Sequence, residues 1–280
     1  MVASIKQPQH DDLALLDQVV LERAGGKNRQ YFENFHVEWR QRVELYLNSA
    51  GDPSKIARST IVDAVDKKKF INLYENAKKD HCQYSVLKSL RKNKLMYCPS
   101  CGEDGAPETL DHYLPKDEFP EYAVLTKNLT PMCGRCQREK LAKFVDEKNN
   151  RQFLHPYFDG INSPVLKVDI VPPYDFGTTF RVYVSPDADD NIRPIVSRHI
   201  KELAIPTRLL DYCIEKYQHL LRLVADDPPP RNEVVGFLKL FLKMEEKKAH
   251  NAWGALFYRS VLANPSLIEY LRIGILPKNL

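Results

Sequence analysis

Over the first third of the chain, apolar residues recur three or four positions apart, the spacing of one helix face. Phe32, Phe35, Trp39, Val43 and Tyr46 form one such stripe. Asp52-Pro53 supplies a cap and a first turn for the next helix. Phe70, Leu73, Ala77, Tyr84 and Leu87 carry the helical period toward residue 96 and read as core, not as a ligand box. After Gly160 the period switches to two. Leu166, Val168 and Ile170 alternate with Lys167 and Asp169, and Phe180, Val182 and Val184 with Arg181 and Tyr183. The loop between them, around Pro172-Pro173 and Gly177, predicts a β-hairpin. A short helix over 196–203 follows, then a longer one from Thr207 with Leu210, Ile214, Tyr217, Leu221 and Val224 on one face. The run Asp226-Asp-Pro-Pro-Pro-Arg231 stops it. A last helix is expected over 232–262, containing Phe241 and Trp253. Neither helical set has much core alone, so the two are expected to pack together. His199 and His219 read as structural.

At 280 residues the chain can hold one large or two modest domains. Its order suggests a helical region over 1–96, a central module over 97–160, and a hairpin with helices over 161–280. No apolar run approaches a membrane span, and there is no repeat or low-complexity tract. The opening Met1-Val-Ala-Ser-Ile-Lys6 has no apolar stretch, so a cytoplasmic protein without a secretory leader is expected. Charge is uneven. The formal net is +4, yet between Lys55 and Tyr97 eleven Lys/Arg face four Asp/Glu, a local +7 that leaves −3 for the rest. That basic stretch reads as a phosphate-tracking surface or as an ordinary solvated helix face. Sparse aromatic interleaving favours backbone contact over base stacking.

Two Cys-x-x-Cys pairs, Cys98/Cys101 and Cys133/Cys136, carry the most specific chemistry. Such a pair on a tight turn aims two sulfurs at one point, and two pairs complete a tetrahedron with Zn–S bonds of about 2.3 Å. Pro99, Gly102 and Gly134 supply the turn geometry. Disulfides or buried thiols are the alternatives, and a reducing cytosol favours zinc. Cys82 and Cys213, each alone in a helical stretch, read as buried, inert thiols. The thirty-one residues between the pairs suffice for a hairpin. The expected order is knuckle, strand, loop, strand, knuckle, helix: 110–113 extended, a polar loop, 122–125 and 126–131, then a helix over 137–144. His112 is a candidate general base, because imidazole titrates near neutral pH and can be aimed at a water. Asp111 beside it on a strand points to the opposite face. Taken singly, a surface Asp, a core-edge His and an Asn closing a turn would be unremarkable.

Four linked motifs change that weighing. Asp111-His-Tyr-Leu-Pro-Lys116, Phe119-Pro-Glu-Tyr122, Asn128-Leu-Thr-Pro-Met-Cys133-Gly-Arg-Cys136 and His155-Pro-Tyr-Phe-Asp159 follow in order. Over 97–159 the chain resembles the ββα-metal nucleases of the HNH family, and more narrowly the HNH components of Septu- and retron-type anti-phage systems. The resemblance implies an α+β, mostly helical protein: an HNH module with a structural zinc site of four cysteines, flanked by helices and a small hairpin. It implies a bend that lets Asp111 bind a catalytic Mg2+ or Mn2+ while His112 reaches the water, with Asn128 bracing the Ω-loop that orients the imidazole. The family usually places Asn or His after the last cysteine as a second ligand. Here Gln137 stands in that position, and its amide oxygen, His155 or Glu139 remain alternatives for the ligand. His155 equally reads as part of a packed turn. DNA is the expected substrate and an SMC-like ATPase the expected partner, supplied by another chain because no nucleotide-binding loop occurs here. Two other readings stay open: a zinc-stabilised nucleic-acid-binding or scaffold subunit with a decayed metal site, and an RNA- or tRNA-directed nuclease.

Overall fold

The computed structural model describes residues 4–175, 177–226, 230, 232–274 and 276. It is mostly helical, with two two-stranded sheets, and forms two compact units. No described helix is long and apolar enough to cross a membrane.

One unit comprises residues 4–100 and 106–160. Its helices are α1 (Asp12–Glu22), α2 (Arg29–Asn48), α3 (Ala64–Glu75) and α4 (Cys82–Arg91). Asp11 and Asp63 cap α1 and α3 by accepting from first-turn amides, the role for which short carboxylates are suited. The α2 stripe is buried at Phe32, Trp39, Val43 and Tyr46. Phe32 and Trp39 meet Phe70 of α3 at ring separations of 5.3 and 5.0 Å, edge to face. Asp52 does cap the next turn, but that turn is a single 3-10 turn over Pro53–Lys55, and the following α-helix waits for Asp63. The apolar period from Phe70 to Leu87 is likewise cut in two, between α3 and α4.

Within this unit β1 (Thr109–His112) pairs antiparallel with β2 (Leu129–Met132), Asp111 opposite Thr130 and His112 opposite Leu129. The segment 122–125 belongs to the intervening loop, because Pro120 opens a 3-10 turn whose amides bond back to Phe119 and Pro120. Helix α5 (Gly134–Lys140) follows β2. It is shorter than the expected 137–144, since Leu141 turns to φ +49° and ends it. Gly51, at φ +68°, lies against the site's outer wall. A Cβ there would fall 2.9 Å from His155 Cδ2 and 3.0 Å from the Tyr46 hydroxyl, so only glycine fits.

The other unit comprises residues 101–105 and those from 161 onward. The hairpin has the expected alternation: β3 (Leu166–Val171) pairs with β4 (Thr179–Val184), Val168 opposite Val182. Among the described residues five helices follow: α6 (Arg193–Glu202), α7 (Ile205–Asp226), α8 (Val234–Glu246), α9 (Trp253–Leu262) and α10 (Pro265–Ile273). On α7 the expected Tyr217, Leu221 and Val224 are buried together with Leu209, Cys213 and Leu220, while Ile214 is 45% exposed. The Pro-rich stop at 226–231 falls largely outside the described residues. The helix expected over 232–262 is broken in two. Buried Asn251 leaves the helical path to accept from the Val165 amide at 2.7 Å and donate to the Ser163 carbonyl at 2.7 Å. Residues 101–105 join this unit through Trp253, whose amide and indole N–H donate to the carbonyls of Gly102 and Cys101.

Candidate functional site

Cys98, Cys101, Cys133 and Cys136 converge, their sulfurs all within 4.8 Å of one another. Cys98, Cys101 and Cys136 are buried and Cys133 is half-buried. Backbone amides support the sulfurs: Cys133 N–H points to Cys98 Sγ at 3.4 Å and Cys136 N–H to Cys133 Sγ at 3.5 Å. Four convergent soft donors on two knuckles fit a tetrahedral zinc-type ion in both number and kind. The other two thiols lie apart from this cluster. Cys213 is buried and Cys82 half-buried, and burial pushes both thiol pKa values up to about 12, so neither is a reactive thiolate.

His112 ends β1 and is 8% exposed. Its Nε2 lies 3.0 Å from the Ala123 carbonyl. A carbonyl only accepts, so Nε2 carries the hydrogen and Nδ1 keeps its lone pair. Burial is the largest influence on this imidazole and pushes its pKa down to about 3. The Ala123 hydrogen bond opposes the shift, and the positive charges of Lys116, Lys140 and Arg91 reinforce it. The Tyr74 ring of α3 stands nearly perpendicular to the imidazole at 4.6 Å between centroids.

Asn128 controls the loop that holds Ala123. Its Oδ1 accepts from the Leu114 amide at 2.8 Å, and its Nδ2 donates to the carbonyls of Leu114 and Tyr122 at 3.1 and 3.2 Å. Its own carbonyl accepts from the Tyr113 amide at 2.8 Å. A buried primary amide is suited to this, having two donors and a two-lone-pair acceptor on one rigid plane. The loop is braced from outside too. Asp12 of α1 accepts from the Thr126 amide at 2.7 Å and pairs with Lys127 at 3.0 Å. Buried Glu121 accepts from Arg42 and from Ser59 at 2.6 and 2.7 Å.

Asp111 faces the other way, toward α5. Lys140 places its ammonium 3.0 Å from Asp111 Oδ2 and donates to the His112 carbonyl at 2.9 Å. Burial raises the Asp111 carboxyl against the pull of Lys140. Asp111 Oδ2 is buried and makes no aligned hydrogen bond beyond that ion pair. Gln137 is half-buried one residue after Cys136, and Glu139 is exposed. Among the described residues no hydrogen bond joins either of them to Asp111. A carboxylate and an amide are hard oxygen donors, the kind Mg2+ and Mn2+ take, so the residues present suit such an ion by type. Lys140 is the residue that sequence reasoning missed. Its one signal is the four-residue step from Cys136, which puts both on the inward face of α5.

His155 is not an available ligand. Its Nδ1 accepts from the Tyr157 amide at 3.2 Å, and its Nε2 lies 3.0 Å from the Tyr46 hydroxyl. The ring is fully buried against Tyr113 and Phe158, and burial lowers its pKa well below the ordinary imidazole range. The Tyr46 hydroxyl in turn lies 3.3 Å from Asn128 Oδ1 and 3.2 Å from the Lys127 carbonyl. His155 therefore supports the loop brace from behind.

No protein-family model matches the chain, and no solved structure does. The chain is similar to Protein ea31 of Escherichia phage lambda, 30% identical over 101 residues, which is 35% of this chain and 34% of that protein. It is also similar to Septu protein PtuB of Bacillus thuringiensis, 36% identical over 56 residues, 20% of this chain and 22% of that protein. The matched segments thus span about a third and about a fifth of those relatives' lengths.

Proposed function

We propose that this chain is a metal-dependent endonuclease of the HNH type, hydrolysing phosphodiester bonds in DNA as an effector of anti-phage defence. The observation that carries the reading is the fixed imidazole. His112 is held in one tautomer by Ala123, on a loop clamped by Asn128, in a chain that also brings four thiols together. A neutral imidazole with a free Nδ1 lone pair is the acceptor an attacking water requires. The new oxygen–phosphorus bond forms as the ester bond opposite breaks, and the water's proton passes to Nδ1. The four cysteines would hold a zinc ion, which would tie the two knuckles together. Asp111 and Gln137 are the residues that would hold a divalent ion, which would supply the Lewis acidity phosphodiester cleavage uses. The partial similarity to Septu protein PtuB supports the defence role; a partner ATPase from a separate chain is what the resemblance of the sequence motifs to Septu-type systems implies.

One observation favours a second reading, a zinc-stabilised nucleic-acid-binding subunit with a decayed metal site. Lys140 already sits beside the carboxylate a metal would need. Mn2+ binding followed by electron paramagnetic resonance separates the two: the nuclease reading requires binding that Asp111→Ala abolishes. Supercoiled plasmid and a matching RNA, each with Mg2+ or Mn2+ and with or without the partner chain, then test activity. Cutting by the wild type and none by a folded His112→Ala protein is expected. Unchanged cutting by His112→Ala overturns the assignment of the base.

A further inference from the structure

Arg91 closes α4, outside the strand–strand–helix segment that carries Asp111 and His112. Its guanidinium lies over the Tyr74 ring, 5.1 Å from the centroid. Tyr74 is half-buried and is the same ring that stands against His112 at 4.6 Å. The Tyr74 ring thus lies between the imidazole and an exposed cation. Other cations around the site are engaged by protein: Lys116 by Glu75 at 2.8 Å, Lys140 by Asp111, and Lys67 by the Asp117 carbonyl at 2.7 Å. Arg91 is exposed, and among the described residues no carboxylate pairs with it.

An unpaired surface arginine is ordinarily a solvated side chain. Two features set this one apart. Its place over the Tyr74 ring restricts the side chain, so less rotamer freedom is lost when it forms hydrogen bonds. Its position in the last turn of a helix places it where the backbone dipoles favour a cation. A planar fork of N–H donors that no carboxylate engages among the described residues, carried on the ring that faces His112, matches the oxygens of a phosphate.

We propose that Arg91, carried on Tyr74, is the phosphate-binding residue of this site, gripping a non-bridging oxygen of the phosphodiester presented to His112. This rests on the nuclease reading above, and it makes the N-terminal helices part of the substrate site. Exposed Lys92 and Lys94 follow directly and extend the same cationic edge.

The test uses full-length protein in the His112→Ala background, with a fluorescein-labelled DNA duplex followed by anisotropy across a salt series. Losing one phosphate contact lowers the slope of log K against log salt by about 0.9. Arg91→Ala is expected to show that loss, Arg91→Lys to recover the slope, and Lys239→Ala, an exposed cation on α8, to leave it unchanged. A slope for Arg91→Ala no different from that of Lys239→Ala overturns the proposal. Binding of a matching RNA duplex alone, with the same dependence on Arg91, keeps the phosphate site and replaces DNA by RNA. No binding of either duplex overturns it as well. Plasmid cutting by the wild type reports separately on the nuclease reading, so the two can fail independently.

Discussion

Lys140 and Asp111 form an ion pair in which neither partner meets solvent, their side chains being 1% and 7% exposed at a separation of 3.0 Å. Deleting one member of a buried pair leaves a desolvated charge behind. Lys140→Met is therefore expected to lose about 3–5 kcal/mol, and Asp111→Asn combined with it to regain most of that. Urea denaturation of the single and double variants checks this. A single variant as stable as the wild type would show that the pair does not organise β1 against α5.

Asn128→Asp keeps the shape of the side chain and removes both of its donors. The carbonyls of Leu114 and Tyr122 would then face a carboxylate. At roughly 1–3 kcal/mol for each buried acceptor left unpaired, a loss of at least ~2 kcal/mol is expected. The loop carrying Ala123 should loosen with it, which amide hydrogen exchange at residues 113–128 would register. Protection equal to the wild type's would refute the brace.

Local periods read well and long-range burial does not. The α2 stripe through Phe32, Trp39, Val43 and Tyr46 and the alternation of β3 follow from spacing alone, because each buries one face against whatever packs there. On α7 the expected stripe is buried at Tyr217, Leu221 and Val224, half-buried at Leu210 and exposed at Ile214. Cys213 is buried as expected and packs as a small hydrophobe in the stripe with Leu209. The break before Trp253 depends on the Val165 amide and Ser163 carbonyl, 86 and 88 residues from Asn251 in sequence. Lys140 was hidden for the same reason. In the run Gln137-Arg-Glu-Lys140 a lysine looks solvated, and only the distant Asp111 makes its burial favourable.

His155 makes stability sensitive to acid. Its folded-state pKa lies well below 6.5, so between that depressed value and 6.5 the unfolded chain binds a proton that the folded chain does not. Stability therefore falls as pH drops below about 6.5, by at most ~1.4 kcal/mol per pH unit for this one group. His155→Gln keeps a hydrogen-bonding side chain there and removes the titration. It is expected to be less stable at neutral pH yet to lose stability more slowly on acidification. Parallel slopes for the two proteins between neutral pH and the mildly acidic range would exclude His155 as a source of the acid sensitivity.

The thiol cluster should set a metal stoichiometry of one zinc per chain, since all four sulfurs serve a single point. Zinc-bound thiolates are deprotonated, so chelation at low pH should release the ion readily, and the knuckles should unfold with it. Cobalt substitution gives a direct readout, because tetrahedral thiolate ligation produces intense sulfur-to-cobalt charge-transfer bands. Cys98→Ser or Cys136→Ser is expected to lower zinc content and the melting temperature together. Cys82→Ser, at a half-buried thiol outside the cluster, should retain the full zinc complement. Zinc content unchanged by Cys136→Ser would mean that the four sulfurs come together without serving as a metal site.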